Sequence, residues 1–396
     1  MRGKLGLVAV ALLLAACAGG NSATTGQSNA GPIKIGLLTS LTGNYAPLGT
    51  GDEQGAQLMV DRVNAQGGIN GRKLELDIVN DGSDPNQTVV QLNRLDSDGV
   101  VALLGPPQST ADLAIKPLVN QKKLPTIALG AADQQTNPVT PYMWQTANLS
   151  SQVARDILGY LQQEGKTRLA MMYDSANAYA VAGHDETKSL MDRYGITLVD
   201  DESFQTSATN FTPEITRVVA AKPDFTLVWA TGAPPVVITK QWAAANTGIP
   251  LMMTGAEATP LYVQPAGPAA EGVYLQVVMA DIGPYLPASN RFKKIIDGIA
   301  KPFQAKYGTY PSQFSWDAIT AMSFLIDAIK RKGATREAIR QGLDSISLDT
   351  ANGHYTFTPT RHYGMPQSAN TIAIVRNGQF VPAPGLTEQQ LAKAGS

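Results

Sequence analysis

The chain has a single cysteine, Cys17, and three histidines, His184, His354 and His362, among 396 residues. An intramolecular disulfide needs two thiols, a structural zinc site needs a cluster of Cys and His, and Cys–His catalysis needs both partners, so none of these is expected. Charge of one sign is also lacking: 31 Lys and Arg stand against 32 Asp and Glu, a formal net charge of -1. Without a basic surplus to neutralise phosphates, a nucleic-acid partner is not expected. Beyond the first 16 residues there is no long apolar run, hence no expected transmembrane helix. Neither Gly-x-Ser-x-Gly nor His-Glu-x-x-His occurs. Gly49 to Gly55 approaches Gly-x-Gly-x-x-Gly but has one residue too many and begins about ten residues after its strand, where a dinucleotide fingerprint follows the strand directly. Gly159 with Gly165-Lys166-Thr167 is a P-loop off by one residue, at a helix end leading into a strand rather than the reverse. Asp81-Gly82-Ser83-Asp84 lacks the remaining ligands of a calcium loop, and helix capping is its expected use. No catalytic set, metal or cofactor is implied.

What is present is a globular composition: 43% hydrophobic and 16% charged residues, with 37 Gly and 25 Pro punctuating many short elements. The length fits two or three domains. Arg2 and Lys4 precede an apolar run from Leu5 to Ala16, too short to span a bilayer and of signal-peptide length. It ends in Leu14-Ala15-Ala16-Cys17, which resembles the bacterial lipobox, so residues 1–16 are expected to be a signal peptide and Cys17 the lipidated first residue. Cleavage there leaves 29 basic against 32 acidic residues, a charge of -3. Residues 17–32 are small and polar and read as a flexible tether.

Along the rest of the chain apolar runs alternate with helical periodicity. Ile33–Leu38, Leu74–Val79, Val100–Leu104 and Thr126–Leu129 read as strands. A helix opens near Asp52, a second has Asp84 as N-cap and Pro85 at its first position, and a third has a capping-box pattern from Ser109 to Asp112. Strands and helices resume from Leu169 to Met253. Helices are expected over 290–307, 315–332 and 335–343, and a hairpin turns on Asn377-Gly378. This alternation implies α/β architecture with parallel sheets covered on both faces.

The segment Asn64 to Leu76 (NAQGGINGRKLEL), with Leu41-Thr42-Gly43, Asp81 to Pro85, Ser109-Thr110, Gly255-Ala256-Glu257 and Trp316-Asp317-Ala318, resembles the branched-chain-amino-acid-binding (Leu/Ile/Val-binding) family of ABC-transporter substrate-binding proteins. The resemblance covers about residues 33–382. It implies two Rossmann-like doubly wound lobes joined by a three-strand hinge, the type I periplasmic binding protein fold. Lobe one would take 33–146 plus 279–352, lobe two 147–278 plus 353–385, and 386–396 would be a C-terminal tail.

Two open parallel sheets put loops and helix starts at a cleft suited to a polar ligand. Ser109 and Thr110, at a helix start where free N–H groups and the dipole favour an anion, are one half of the carboxylate clamp that the resemblance implies. Gly130, Ala131 and Ala132 are the other half. Many relatives carry a hydroxyl near the position of Ala132, and its absence leaves backbone groups to that task. By the same resemblance Glu257 holds an amino group and Tyr179 and Phe314 cover the ligand; Tyr45 and Leu48, in the first loop, are placed to close over its side chain. The expectation is therefore a non-catalytic, monomeric, lipid-anchored protein of the periplasm or cell envelope. It would trap an amino acid or related small polar solute and hand it to an ABC permease. Two alternatives stay open: a binder of a carboxylate without an amine, aromatic or short aliphatic, and an envelope regulatory lipoprotein on the same fold.

Overall fold

A computed structural model describes residues 31–396; the signal-peptide, Cys17 and most of the tether expectations lie outside them. The first lobe starts with β1 (Ile33–Thr39), α1 (Ala46–Ala65), β2 (Leu74–Asn80), α2 (Pro85–Ser97), β3 (Ala102–Leu104), α3 (Ser109–Gln121), β4 (Thr126–Ala128) and β5 (Met143–Gln145). The strands form one parallel sheet in the order β2-β1-β3-β4-β5. The second lobe follows with α4 (Ser150–Gln163), β6 (Arg168–Asp174), α5 (Ala178–Leu190), β7 (Thr197–Phe204), α6 (Thr212–Ala220), β8 (Phe225–Trp229), α7 (Pro234–Ala244), β9 (Leu251–Met253), α8 (Pro260–Ala266) and β10 (Tyr274–Val278). The chain then returns to the first lobe with α9 (Lys293–Tyr307), α10 (Gln313–Lys332), α11 (Arg336–Leu343) and the β11 (Ser347–Thr350)–β12 (Gly353–Thr356) ribbon. It crosses a third time to add β13 (Asn370–Arg376) and β14 (Gln379–Pro382) to the second sheet, in the order β14-β13-β10-β9-β8-β6-β7.

In each sheet the strand order reverses once, beside β1 and β3 in the first and beside β6 and β8 in the second. Chain connections leave in opposite directions at such a point, which opens a crevice beyond the strand C-termini. The loops after β1, β3, β6 and β8 are therefore the ones that can hold a ligand.

Sequence chemistry explains the local elements. Asp84 caps α2 by accepting from the Asn86 amide, ahead of Pro85. Asn377 and Gly378, with φ of 51° and 72°, make the tight turn between β13 and β14. The glycines that imitate a nucleotide loop lie inside α1: a Cβ on Gly49 would stand 2.0 Å from the Ser40 carbonyl oxygen, and one on Gly55 2.4 Å from that of Ser315. They let α1 press against the end of β1 and against α10, and α1 begins at Ala46, earlier than the periodicity suggested, with Pro47 in its first turn. The last eleven residues carry α12 (Glu388–Lys393). The Asn290 amide donates to the carbonyls of Leu391 (2.9 Å) and Ala394 (3.1 Å), which docks this segment on the body. Among the described residues no helix is long and apolar enough to cross a membrane.

Candidate functional site

A cavity lies between the lobes at the two crevices. Leu48, Ser109, Gly130, Ala131, Tyr179 and Phe314, six of the ten residues singled out from the sequence as ligand-binding, line it. Tyr45, Thr110, Ala132 and Glu257 do not.

The capping box expected at Ser109 is not formed. Gln108 is the N-cap of α3 and Ser109 is its first residue. The Ser109 Oγ instead accepts from the backbone amides of Ala131 and Ala132, each at 3.0 Å. Asp112, three residues on, accepts from the Gly130 amide at 3.0 Å and from Gln135 Nε2 at 2.5 Å. Tertiary partners on the loop after β4 have displaced the local reciprocal bond, because that loop lies directly on the helix start: a Cβ on Gly130 would be 2.8 Å from the Ser109 nitrogen. The amides of Ala131 and Ala132 are thus engaged by Ser109 and those of Ala111 and Asp112 by the Gln108 carbonyl, while the Ser109 hydroxyl proton and the Ser109 and Thr110 amides remain available to a ligand anion. Ala132 is fully buried.

The opposite chemistry comes from carboxyls. Asp317, on α10, lines the cavity and is 1% exposed. Asn352 Nδ2 is its hydrogen-bond donor, at 3.4 Å. Burial, and then the Asp52 charge, push its carboxyl well above the usual range. Beside it, Gln313 Oε1 is buried with no partner. Glu257 is 2% exposed and stands one layer back. Its Oε2 accepts from Thr254 Oγ1 at 3.2 Å and its Oε1 has no partner. Burial raises its pKa strongly, against the weaker opposing effect of Thr254. Burial raises the Tyr179 hydroxyl, Thr254 opposes that rise and the Glu257 charge adds to it. No Lys, Arg or His lines this cavity.

Apolar cover comes from Leu48 and Phe314, which pack with Tyr45 in one cluster, and from Tyr179, held edge-on to Trp229 at 5.3 Å between ring centroids. Two polar contacts bridge the lobes at the rim. Asn177 Nδ2 donates to the Tyr45 hydroxyl at 3.3 Å, and the Ala178 amide donates to Thr110 Oγ1 at 3.2 Å. Tyr45 and Thr110 therefore join the lobes instead of lining the cavity.

Sequence reasoning missed Asn177 and Thr231, which follow β6 and β8 and are joined by a 2.8 Å bond from Asn177 Nδ2 to Thr231 Oγ1. It also missed Asn148, Gln313 and the role of Asp317. Asn148 lies where the chain first crosses and accepts from Gln313 Nε2 at 3.3 Å. The strand-reversal rule applied to the second half would have pointed to Asn177 and Thr231. Nothing local marks Asn148. Among the described residues no group of three or more His, Cys, Asp or Glu is placed to hold a metal.

A family model described as periplasmic binding protein matches residues 32–379. The Leu/Ile/Val-binding protein BraC3 of Rhizobium johnstonii is 28% identical over 194 residues, 48% of this chain, and the chain spans about half of that relative, 53% of its length. Two solved structures share the fold. The branched-chain amino acid transporter substrate binding protein LivJ of Streptococcus pneumoniae, solved with isoleucine, superposes with a TM-score of 0.78 at 23% identity, covering 88% of this chain and 97% of that one. An ABC transporter solute binding protein of Rhodopseudomonas palustris, solved with benzoate, also gives 0.78 at 21% identity, covering 89% and 95%.

Proposed function

The chain belongs to the periplasmic binding protein family, a family of solute-binding proteins and not of enzymes, and from that premise we propose that it captures a zwitterionic α-amino acid between its lobes for an ABC importer. The supporting observation is the polarity of the cavity. At one end are the Ser109 hydroxyl and the start of α3, suited to a carboxylate. The cavity wall also presents the Asp317 carboxyl and the partnerless Gln313 Oε1, while Glu257 is buried off the wall. A buried carboxyl without a cation is costly, and an ammonium group removes that cost. Leu48, Phe314 and Tyr179 would enclose an apolar side chain. In this reading Cys17 carries a lipid anchor and the protein works outside the cytoplasm.

The second reading, a carboxylate ligand without an amine, draws on the same carboxyls. Burial holds Asp317 and Glu257 toward the neutral form, in which they donate a hydrogen bond to an acid instead of repelling it. A thermal-shift screen separates the readings, since a ligand at about 100 times its Kd adds about 2.7 kcal/mol of stability. Leucine, isoleucine and valine are compared with their deaminated acids and with benzoate. Stabilisation by amino acids alone supports the proposal. Stabilisation by the acids alone transfers the assignment to the second reading. An envelope regulatory protein would respond to none.

A further inference from the structure

A second, larger groove lies between the lobes, walled by α8, the turn from Asp281 to Tyr285, the loop from Gly308 to Ser312 and the tip of the β13–β14 hairpin. The backbone bond from the Gln313 amide to the Ala258 carbonyl, at 3.1 Å, runs between the two lobes where this groove and the ligand cavity meet. Three features of the groove call for an occupant. Asp281 lines it, is 5% exposed, and neither of its carboxylate oxygens has a hydrogen-bond partner. It is the sole charged residue on the wall, which also presents Tyr285, Tyr310, Phe380 and prolines beside uncharged polar side chains such as Gln264, Gln304 and Gln379. Of the three large hydrophobic side chains exposed among the described residues, two are here: Tyr285 (46%) on this wall and Leu261 (39%) on the adjoining hollow that shares Pro260, Gln264 and Tyr310 with it.

We propose that this groove is a second ligand site, for a small organic cation that carries an aromatic or bulky apolar body. A lone carboxyl with both oxygens unsatisfied leaves polar capacity in the wall that a solvated or protein partner normally fills. An ammonium or guanidinium group supplies charge-assisted hydrogen bonds to it. Aromatic faces attract the same cation and cover its apolar part. An anion finds no opposite charge here, since no Lys, Arg or His faces the groove. The groups facing Asp281 are the Asp317 carboxyl of α10, which raises its pKa after burial has done so, the Val278 backbone, which opposes that rise, and the Tyr310 hydroxyl, which is itself bonded to the Ala280 carbonyl at 3.0 Å. A bound cation acts against the rise as well, so cation binding and protonation of Asp281 oppose each other. Because walls come from both lobes, an occupant also fixes their relative position.

The test is isothermal titration of the full chain with phenethylammonium, with phenylacetate as the anionic counterpart, in two buffers of different ionisation enthalpy. The expected result is saturable binding of phenethylammonium with proton release, no binding of phenylacetate to this groove, an affinity at least tenfold lower in Asp281→Asn, and a several-fold loss in Tyr285→Ala. Tyr285 is exposed, so its replacement leaves the fold intact even if Asp281→Asn disturbs it. Leu48→Ala, in the apolar wall of the ligand cavity, should leave this binding unchanged. The proposal is overturned if phenethylammonium fails to bind at millimolar concentration, or if both groove variants bind it as the wild type does. It is equally overturned if Leu48→Ala alone removes the binding, which would place the cation in the amino-acid cavity. Failure of the amino-acid reading leaves this outcome unaffected, because the variants are in different walls.

Discussion

The Tyr45 hydroxyl of the first lobe accepts a hydrogen bond at 3.3 Å from the Asn177 amide of the second, and the same amide reaches Thr231 at 2.8 Å. Asn177 also caps α5 through its Oδ1, which accepts from the amides of Tyr179 and Ala180. One side chain thus ties the helix that carries Tyr179 to the opposite lobe. The bond exists only when the lobes are together, so it favours closure in step with a ligand that touches both.

Tyr45→Phe removes this bridge and keeps the ring in its cluster with Leu48 and Phe314. A hydrogen bond contributes a net of about 0.5–1.5 kcal/mol, so solute affinity should weaken by roughly 2- to 10-fold with thermal stability of the unliganded protein unchanged. Small-angle scattering should show ligand shrinking the radius of gyration of the wild type. An identical radius with and without a saturating ligand would remove the closure argument.

Asp317→Asn and Glu257→Ala divide the cation end of the cavity. Losing one partner of a buried charged bond costs about 2–5 kcal/mol, roughly 30-fold to several thousand-fold in affinity. Asp317, on the wall, should show the larger loss for an amino acid, and Glu257, off the wall, the smaller. Calorimetry on both variants checks the order. Equal amino-acid binding by wild type and both variants contradicts the ammonium assignment.

Five buried carboxyls, Asp52, Asp112, Glu257, Asp281 and Asp317, are raised well above their usual range, burial being the first cause in each. Their unfolded values lie near about 4. The folded protein therefore holds more protons than the unfolded chain above that pH, and the stability they contribute is present below about pH 4 and lost as pH rises through the folded values. Each adds a slope of up to about -1.4 kcal/mol per pH unit. Glu337 acts in a lower window: hydrogen bonds from Arg340 and Gln341 hold it at about 2, so its contribution is lost only as the solution becomes strongly acid. The unfolding midpoint in urea should fall between pH 5 and 7, roughly, and less steeply in Asp52→Asn. A midpoint rising over that interval would contradict these shifts.

Ser109→Ala leaves the Ala131 and Ala132 amides without their acceptor. An unsatisfied buried donor costs about 1–3 kcal/mol, and a lower melting temperature together with weaker binding of any carboxylate-bearing ligand is expected. An unchanged melting temperature would mean that the loop after β4 finds other acceptors.

Cys17→Ser should abolish lipidation and leave the protein outside the membrane fraction. Mass spectrometry of the native N-terminus checks this: an unmodified terminus at another residue would remove the anchor.

Much of this protein is determined locally. Asp84-Pro85 sets the start of α2, Asn377-Gly378 sets the β13–β14 turn, and the alternation of short apolar runs with helical periodicity sets an α/β fold, because capping, positive φ and burial of one helix face act within a few residues. The helix starts that carry Ser109, Tyr179 and Phe314 follow from the same order of elements. Tertiary structure decided what those helix starts do. Ser109 carries the capping-box spacing, yet the loop after β4 offers its hydroxyl two amides and draws Asp112 away to Gly130. Glu257 has the sequence context of a ligand residue but is buried off the cavity wall, while Asp317, on a helix that otherwise reads as core, reaches it. The glycines of α1 read as a failed phosphate loop until α10, more than 250 residues on, is seen to press against them. Sequence spacing encodes bonds between near neighbours; which carboxyl meets the ligand and which glycine meets a helix depends on contacts between distant segments, and those exist only once both sheets have formed and the chain has crossed between them.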